Sequence, residues 1–447
     1  MTTSPSSTRA PWAPARRSRS GSEVSARRES PVGPGRVLII EPASSGTALV
    51  GAARGLGFET VVASFDADDR TLPDRVRQEA DEVLVVDTND EEELFRAVAS
   101  AHGAAPFAGV LPGFEFYVPV AARLAARLGL RGLPADTVEG VRDKAVMRAA
   151  MAAAGLRVPR FAEVSAEAQL EAAAARVGFP CVLKPVDSAG SVHVSRADGF
   201  GQLLAAYRAL AEDSRPDMGR LSDGRALVEE YLDGPELSVE GCVGADGRTV
   251  VVALTHKVLG PEPSFVEIGH VVQADLPPKA RHAVEEYVRE VVGALGVTVG
   301  PFHCELRLVA DEPVLIELAA RLGGDRIPDL VEAAVGVSLP ELAVAAHTGL
   351  DSEVLASRAP RAKYAGIRFL TAPGVTGRRA VEGMDRIAAL PGVLEAELTF
   401  DADTPLPGDQ DYRCRVGHVL YTADSYQDAL DLGSRITLGV TFVPPVA

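Results

Sequence analysis

Lysine is scarce in this chain of 447 residues: of 45 basic residues only Lys144, Lys184, Lys257, Lys279 and Lys363 are lysines, and the rest are arginines. Basic residues are also outnumbered by 62 acidic ones, for a net charge of −17. That balance excludes nucleic acid as a partner held through its phosphates, which needs concentrated positive charge. Tryptophan occurs once, at Trp12, and aromatic residues make up only 5%. The four cysteines, Cys181, Cys242, Cys304 and Cys414, are widely scattered. No close pair suggests zinc or a redox dithiol, so a reduced, cytoplasmic setting is expected. No apolar run reaches the ~18 residues of a membrane span, and no membrane partner is expected. What is present, 47% hydrophobic and 24% charged residues, is ordinary for a globular chain. The length predicts roughly three domains.

Residues 1 to 35 hold eight Ser, five Pro and six Arg against two Glu, and read as a disordered tail. From RVLIIE (36–41) the pattern changes. Short β-branched runs at 59–64, 82–87 and 107–112 alternate with helical stretches such as EEELFRAVASAHG and VPVAARLAARLG. Strand and helix repeated in this way predict a small parallel sheet covered on both faces over 36–135. The first turn, PASSGT, lacks the spaced glycines of a dinucleotide site. A second region, 136–350, reads as α+β, with a smaller lobe over about 145–230. It has a helix from Asp143 to Gly155, strands at CVLKP, RALVEEYL, ELSVEGCV, TVVVALTH, PFHCELRLV and PVLIELA, and a hairpin turn at ADGR. Residues 351–447 return to short strands and helices.

Five chemical signals lie in order along the second region. Lys144 stands at a helix start. Lys184 ends an apolar strand and leads into the small residues Ser188, Ala189, Gly190 and Ser191, whose amides can approach an anion. Glu229 and Glu230 are acceptors flanked by the apolar Tyr231 and Leu232, which suits an adenine ring, and Glu236 beyond the turn suits ribose hydroxyls. In PFHCELRLVADEPVLIELAARLGG a loop at 310–312 would set Glu305 directly opposite Glu317. Like charges so placed repel, and a buried pair requires a shared proton or a cation; oxygen ligands favour Mg²⁺. On that reading, neutralising Glu317 leaves the metal-free protein as stable or more so. Arg321 then lies on a turn with Gly323 and Gly324, where its fork suits phosphate or carboxylate. Between the third and fourth signals stand Glu267 and His270. Their spacing of three puts them on opposite faces of a plain strand, so sharing one pocket requires a bend, which Gly269 permits. Taken singly, each signal also has an ordinary reading as a solvated charge, a hairpin rim or a hydrogen-bonded sheet residue.

In this order the motifs resemble the ATP-grasp superfamily over about 36–447. ELAARLGG and FVEIGH are similar to the branch of L-amino-acid ligases. The resemblance implies an ATP-grasp fold, α/β and α+β: a Rossmann-like front domain, a two-lobed ATP-binding core and a C-terminal subdomain completing the large lobe. It implies ATP as cosubstrate with Mg²⁺, or Mn²⁺ in its place. Lys144, Lys184, Ser188, Ala189, Gly190 and Ser191 would contact phosphates. Glu229, Glu230, Tyr231, Leu232 and Glu236 would bind the nucleoside, and Glu305 and Glu317 the metal. Glu267, His270, Arg321, Gly323 and Gly324 would line the substrate pocket, with Arg321 and His270 catalytic. The implied partners are a small carboxylate and an amine, and a homodimer is compatible with them. One departure is Ala319, where many members carry a metal-binding Asn; it leaves the number of metal ions open. A phosphotransferase, a bicarbonate-using carboxylase and a non-catalytic nucleotide binder are the alternatives on this fold.

Overall fold

The four β-branched runs near the N-terminus form β1 (Arg36–Ile40), β2 (Glu59–Ser64), β3 (Glu82–Val85) and β4 (Phe107–Pro112), a parallel sheet in the order β3-β2-β1-β4. The structure is a computed structural model that describes residues 35–351, 355, 358–372, 380–399 and 411–443. The expected tail and Trp12 lie outside the described residues. Strand β1 is apolar throughout its buried length because both its faces are covered. Val37 and Ile39 enter one core, Leu38 and Ile40 another. The intervening helices are α1 (Ala48–Gly55), α2 (Asp74–Glu79), α3 (Glu91–Ala104) and α4 (Val118–Leu128). Asp90 caps α3 by accepting from the Glu93 amide, ahead of three glutamates in its first turn. The strand order changes direction at β1 and β4, and the loops after these two strands open into the cleft described below. They approach closely: a Cβ on Gly46 would lie 1.8 Å from the Gly113 carbonyl oxygen.

Next comes α5 (Lys144–Ala153), capped by Asp143, which accepts from the Ala145 and Val146 amides. It stops at Gly155, whose φ of +76° is left-handed. A small antiparallel sheet follows, of β5 (Phe161–Val164), β6 (Cys181–Pro185), β7 (Ser195–Ala197) and β8 (Ala226–Glu230), ordered β5-β8-β6-β7. Helices α6 (Leu170–Val177) and α7 (Phe200–Glu212) share its core through Leu170, Leu203 and Tyr207.

The large sheet contains β9 (Glu236–Val243), β10 (Thr249–Leu259), β11 (Glu267–Val272), β12 (Gly300–Val309) and β13 (Glu312–Ala319). Helix α8 (Pro278–Ala294) covers one face, while α9 (Ile327–Val335) and α10 (Leu339–Thr348) share a core with β1 and α1. The C-terminal part adds β14 (Tyr364–Thr371), β15 (Ala380–Glu382), β16 (Val393–Leu398), β17 (Arg415–Ala423) and β18 (Thr441–Val443), with α11 (Met384–Ala388) and α12 (Tyr426–Gly439). Strands β14, β16 and β17 join the large sheet, which runs β13-β12-β9-β10-β11-β14-β17-β16. The C-terminal region therefore completes the sheet of the middle region by direct strand pairing.

Two irregularities in this sheet fix the chemistry. The β12–β13 hairpin turns on two residues, Ala310 and Asp311, both with positive φ, rather than on a loop of three. Glu305 nevertheless faces Glu317, because β13 carries one extra residue, Ile316, before the register reaches Leu315 opposite Leu306. The second bulge lies between β10 and β11, where Leu259 pairs with Glu267 and Val258 with Gly269. Ile268 is the extra residue. It supplies the bend that lets Glu267 and His270 share a face, one position before the glycine expected to do so.

Candidate active site

A cleft of about 450 Å³ is bordered by the loops after β1 and β4, the small sheet, the large sheet and residues 412 and 415. Lys144, at the start of α5, is buried; its ammonium lies 2.9 Å from Glu317 Oε2 and donates to the Ser188 carbonyl oxygen at 2.9 Å. The segment following β6 therefore touches the same lysine that neutralises Glu317. Ser188, Ala189, Gly190 and Ser191 all line the cleft, and Gly190 and Ser191 have left-handed backbone. A Cβ on Gly190 would meet the Tyr412 ring at 2.6 Å.

Lys184, at the end of β6, is 2.6 Å from Glu229 Oε2 and 3.3 Å from the carbonyl oxygen of bulged Ile316. Burial, with Arg148 and Lys144 nearby, brings its pKa down to about 8 despite Glu229. Arg148 on α5 has no exposed surface. Its Nε donates to Glu229 Oε1 at 2.7 Å and its guanidinium to the Ile316 carbonyl at 2.5 Å. Burial alone would raise the Glu229 carboxyl, but Arg148 and Lys184 outweigh it and hold it below the ordinary range. Glu229 borders the cleft with its carboxylate committed to these two cations, so its acceptors serve Lys184 rather than standing open to a nucleobase. Glu230, Leu232 and Glu236 also border the cleft. Tyr231 does not: its ring packs between Arg196 and Arg307, and its hydroxyl donates to Glu262 at 2.7 Å.

The opposed glutamates are each paired with a cationic side chain, an outcome the sequence reading did not anticipate. Glu317 has Lys144; Glu305 contacts the Lys257 ammonium and lies 2.9 Å from His303 Nε2. Burial would raise both carboxyls, but Lys144 lowers Glu317, while Lys257 and His303 hold Glu305 well below the ordinary range. Both stay ionised, with side chains 21% and 16% exposed at the cleft. Two ionised carboxylates on one wall, facing the 188–191 segment and two lysines, fit a divalent cation. Ala319 is buried opposite His303, whose Nδ1 lies 2.8 Å from the fully buried Glu240. Gly323 lies behind this pair rather than on the cleft wall, since a Cβ there would come 2.8 Å from Glu240 Oε2.

Burial opposes the His303 imidazolium, but Glu240 and Glu305 outweigh it and raise its pKa to about 9. The raised value means that the stabilisation is fully present below the ordinary pKa near 6.5 and is lost as pH rises through about 9. In metal-free protein the stability gap between wild type and His303→Gln is therefore expected to narrow across that window, by about 3 kcal/mol. Urea denaturation of both proteins at several pH values measures it, and a constant gap would contradict the charged Glu240–His303–Glu305 chain.

Arg321 borders the cleft with Nε donating to Glu115 Oε2 at 2.7 Å and Nη1 to the Leu322 carbonyl at 2.6 Å. Gly324 and Asp325 follow on the wall. Asp325 and Arg326 are successive non-glycine residues with left-handed backbone, a conformation that the surrounding contacts must hold. Arg415 of β17 provides one, donating to Asp325 Oδ1 at 2.8 Å and to Glu267 Oε2 at 3.3 Å. Glu267 reaches the cleft, whereas His270 has no exposed surface and stands behind Asp325, 3.0 Å from its Oδ2. Sequence reasoning missed Lys257, Glu115, Asp325, Arg415, Arg148 and the Glu240–His303 pair. Only Lys257 carried a signal, the rarity of lysine.

A parallel-sheet domain and two antiparallel lobes thus surround one cleft. The ATP-grasp N-terminal domain family matches residues 50–132, the ATP-grasp domain family 177–329, and the L-amino acid ligase C-terminal domain 2 family 368–443. Formate-dependent phosphoribosylglycinamide formyltransferase of Methylococcus capsulatus is 30% identical over 324 residues, 69% of this chain and 70% of that protein. The chain belongs to the ATP-grasp superfamily. It is also 26% identical to alanine–anticapsin ligase of Bacillus subtilis over 268 residues, 56% of each protein. The crystal structure of an L-amino acid ligase from Bacillus licheniformis superposes with a TM-score of 0.76 at 23% identity, covering 93% of this chain and 100% of that one. No single helix among the described residues is long and apolar enough to cross a membrane.

Proposed function

We propose that the protein is an ADP-forming ligase that joins a carboxylate, an amino acid or related acid, to an amine. The observation that carries this reading is the Glu305–Glu317 pair, which faces Lys144 and the 188–191 loop and lies close to Arg321. On this reading one cleft would hold phosphate-binding groups, a divalent-cation site and a carboxylate-binding guanidinium. In the proposed reaction a carboxylate oxygen attacks the γ-phosphorus of ATP and ADP leaves. The amine then attacks the acyl carbon, loses a proton, and phosphate departs with the oxygen that formed the acyl–phosphate bond.

The chain's own residues position more than they react. Lys144, Lys184 and the loop amides bind phosphate oxygens. Glu305 and Glu317 would hold Mg²⁺, which when bound would neutralise phosphate charge. Arg321, oriented by Glu115, holds the acid and the oxyanion that develops on it. Glu267 and Asp325 offer carboxylates to the incoming ammonium; His270 acts through Asp325 by fixing it.

Glu267→Gln is accordingly expected to raise the amine Michaelis constant at least about 10-fold and to leave the ATP dissociation constant within about 2-fold. Equal changes in both would make Glu267 a structural residue. A screen of amino acids, in pairs and singly, with ADP and phosphate measured, tests the overall reading. Phosphate release that depends on the amine is expected. ADP with a stable phosphorylated product would instead mark a phosphotransferase, and bicarbonate dependence a carboxylase.

A further inference from the structure

Lys257 is the most thoroughly enclosed cation on the cleft wall, with 1% of its side chain exposed. It comes from β10, yet its ammonium contacts Glu267 of β11 and Glu305 of β12 and lies 3.9 Å from Glu236 of β9. Each of these carboxylates also has other basic partners: Arg415 and His270 for Glu267, His303 for Glu305 and Arg307 for Glu236. Lysine 257 is the one group common to all three. Oxygens of the three glutamates lie within 4.8 Å of one another, close enough for one small cation to collect them. An ammonium is a compact point charge, so it can stand where such an ion would stand.

We infer that Lys257 is a built-in counter-cation. It is a positioning residue that locks Glu267 to Glu305 and keeps a divalent ion out of the Glu236–Glu267–Glu305 cluster. Divalent metal is thereby confined to the Glu305–Glu317 side, which is the only element taken from the ligase reading. The amine-side glutamate and the metal-side glutamate then share one fixed charge, so their spacing does not depend on how many ions are bound.

The test counts metal in the full chain without nucleotide. Mn²⁺ is titrated against wild type, Lys257→Met and Lys257→Met/Glu267→Gln, and free Mn²⁺ is read by electron paramagnetic resonance. Lys257→Met is expected to bind one more Mn²⁺ per chain than wild type, and the double variant to lose that extra site. The thermal midpoint of Lys257→Met is expected to fall in chelator and to recover in Mn²⁺ more than that of wild type does. Equal Mn²⁺ stoichiometry in Lys257→Met and wild type overturns the inference. If Lys257→Met does not fold in chelator, recovery of folded protein on adding Mn²⁺ supports it, and failure to recover overturns it. The counts are independent of turnover, so an inactive wild type would sink the ligase reading and leave this inference standing on its own result.

Discussion

Glu317→Gln is expected to lower turnover about 10³-fold, because it removes one of two carboxylates on the proposed metal wall. Its effect on stability has the opposite sign from the one two facing glutamates suggest on paper. Repulsion between Glu305 and Glu317 would be relieved by the amide, but Glu317 is already matched by Lys144 at 2.9 Å. The variant leaves that buried lysine with only neutral acceptors, the Ser188 carbonyl and the new amide oxygen, and without its counter-charge. A loss of about 1–3 kcal/mol follows, toward the low end for a broken buried pair because Glu317 is partly exposed. Urea denaturation in chelator and steady-state ADP release measure the two effects separately. Unchanged turnover without extra Mg²⁺ would remove Glu317 from the metal site.

Arg148→Met is expected to be the most damaging change to the fold near the site, at about 3–5 kcal/mol. The guanidinium has no exposed surface, and its loss leaves the buried Glu229 carboxylate with Lys184 alone. It also leaves the Ile316 carbonyl oxygen, which the β13 bulge turns toward α5, with only the longer 3.3 Å bond from Lys184. Lys184 would then be drawn more tightly onto Glu229 and away from phosphate, so ATP affinity should fall at least about 10-fold even where the protein stays folded. Arg148→Lys retains charge without the fork and should recover part of the stability. Chemical denaturation and nucleotide calorimetry on both variants read this out; a wild-type midpoint for Arg148→Met would mean that Glu229 is held by other means.

The regular elements were legible because periodicity encodes them. Strand β2 and strand β4 coincide with the β-branched runs at 59–64 and 107–112, and α5 begins at the Asp143 cap. The pairing of Glu305 with Glu317 was also legible, but through the wrong geometry. A three-residue loop and a two-residue turn with a bulge at Ile316 give the same partner, and period-2 alternation cannot tell them apart. Partners distant in sequence were invisible. Arg148 and Glu229 are 81 positions apart, and Arg321 and Glu115 are 206 apart. A single charge in a helix or strand carries no mark of the counter-charge that will meet it. For the same reason Glu229 read as an open acceptor, although folding gives it two cations.

In the proposed reaction the carboxylate of the acid substrate becomes bonded to phosphorus on the way to the amide. Acid labelled with ¹⁸O in both carboxylate oxygens, incubated with ATP, Mg²⁺ and amine, tests it by mass spectrometry of the released phosphate. One ¹⁸O per phosphate is predicted, since the oxygen that attacks the γ-phosphorus leaves with it. Turnover that releases only unlabelled phosphate would contradict the account.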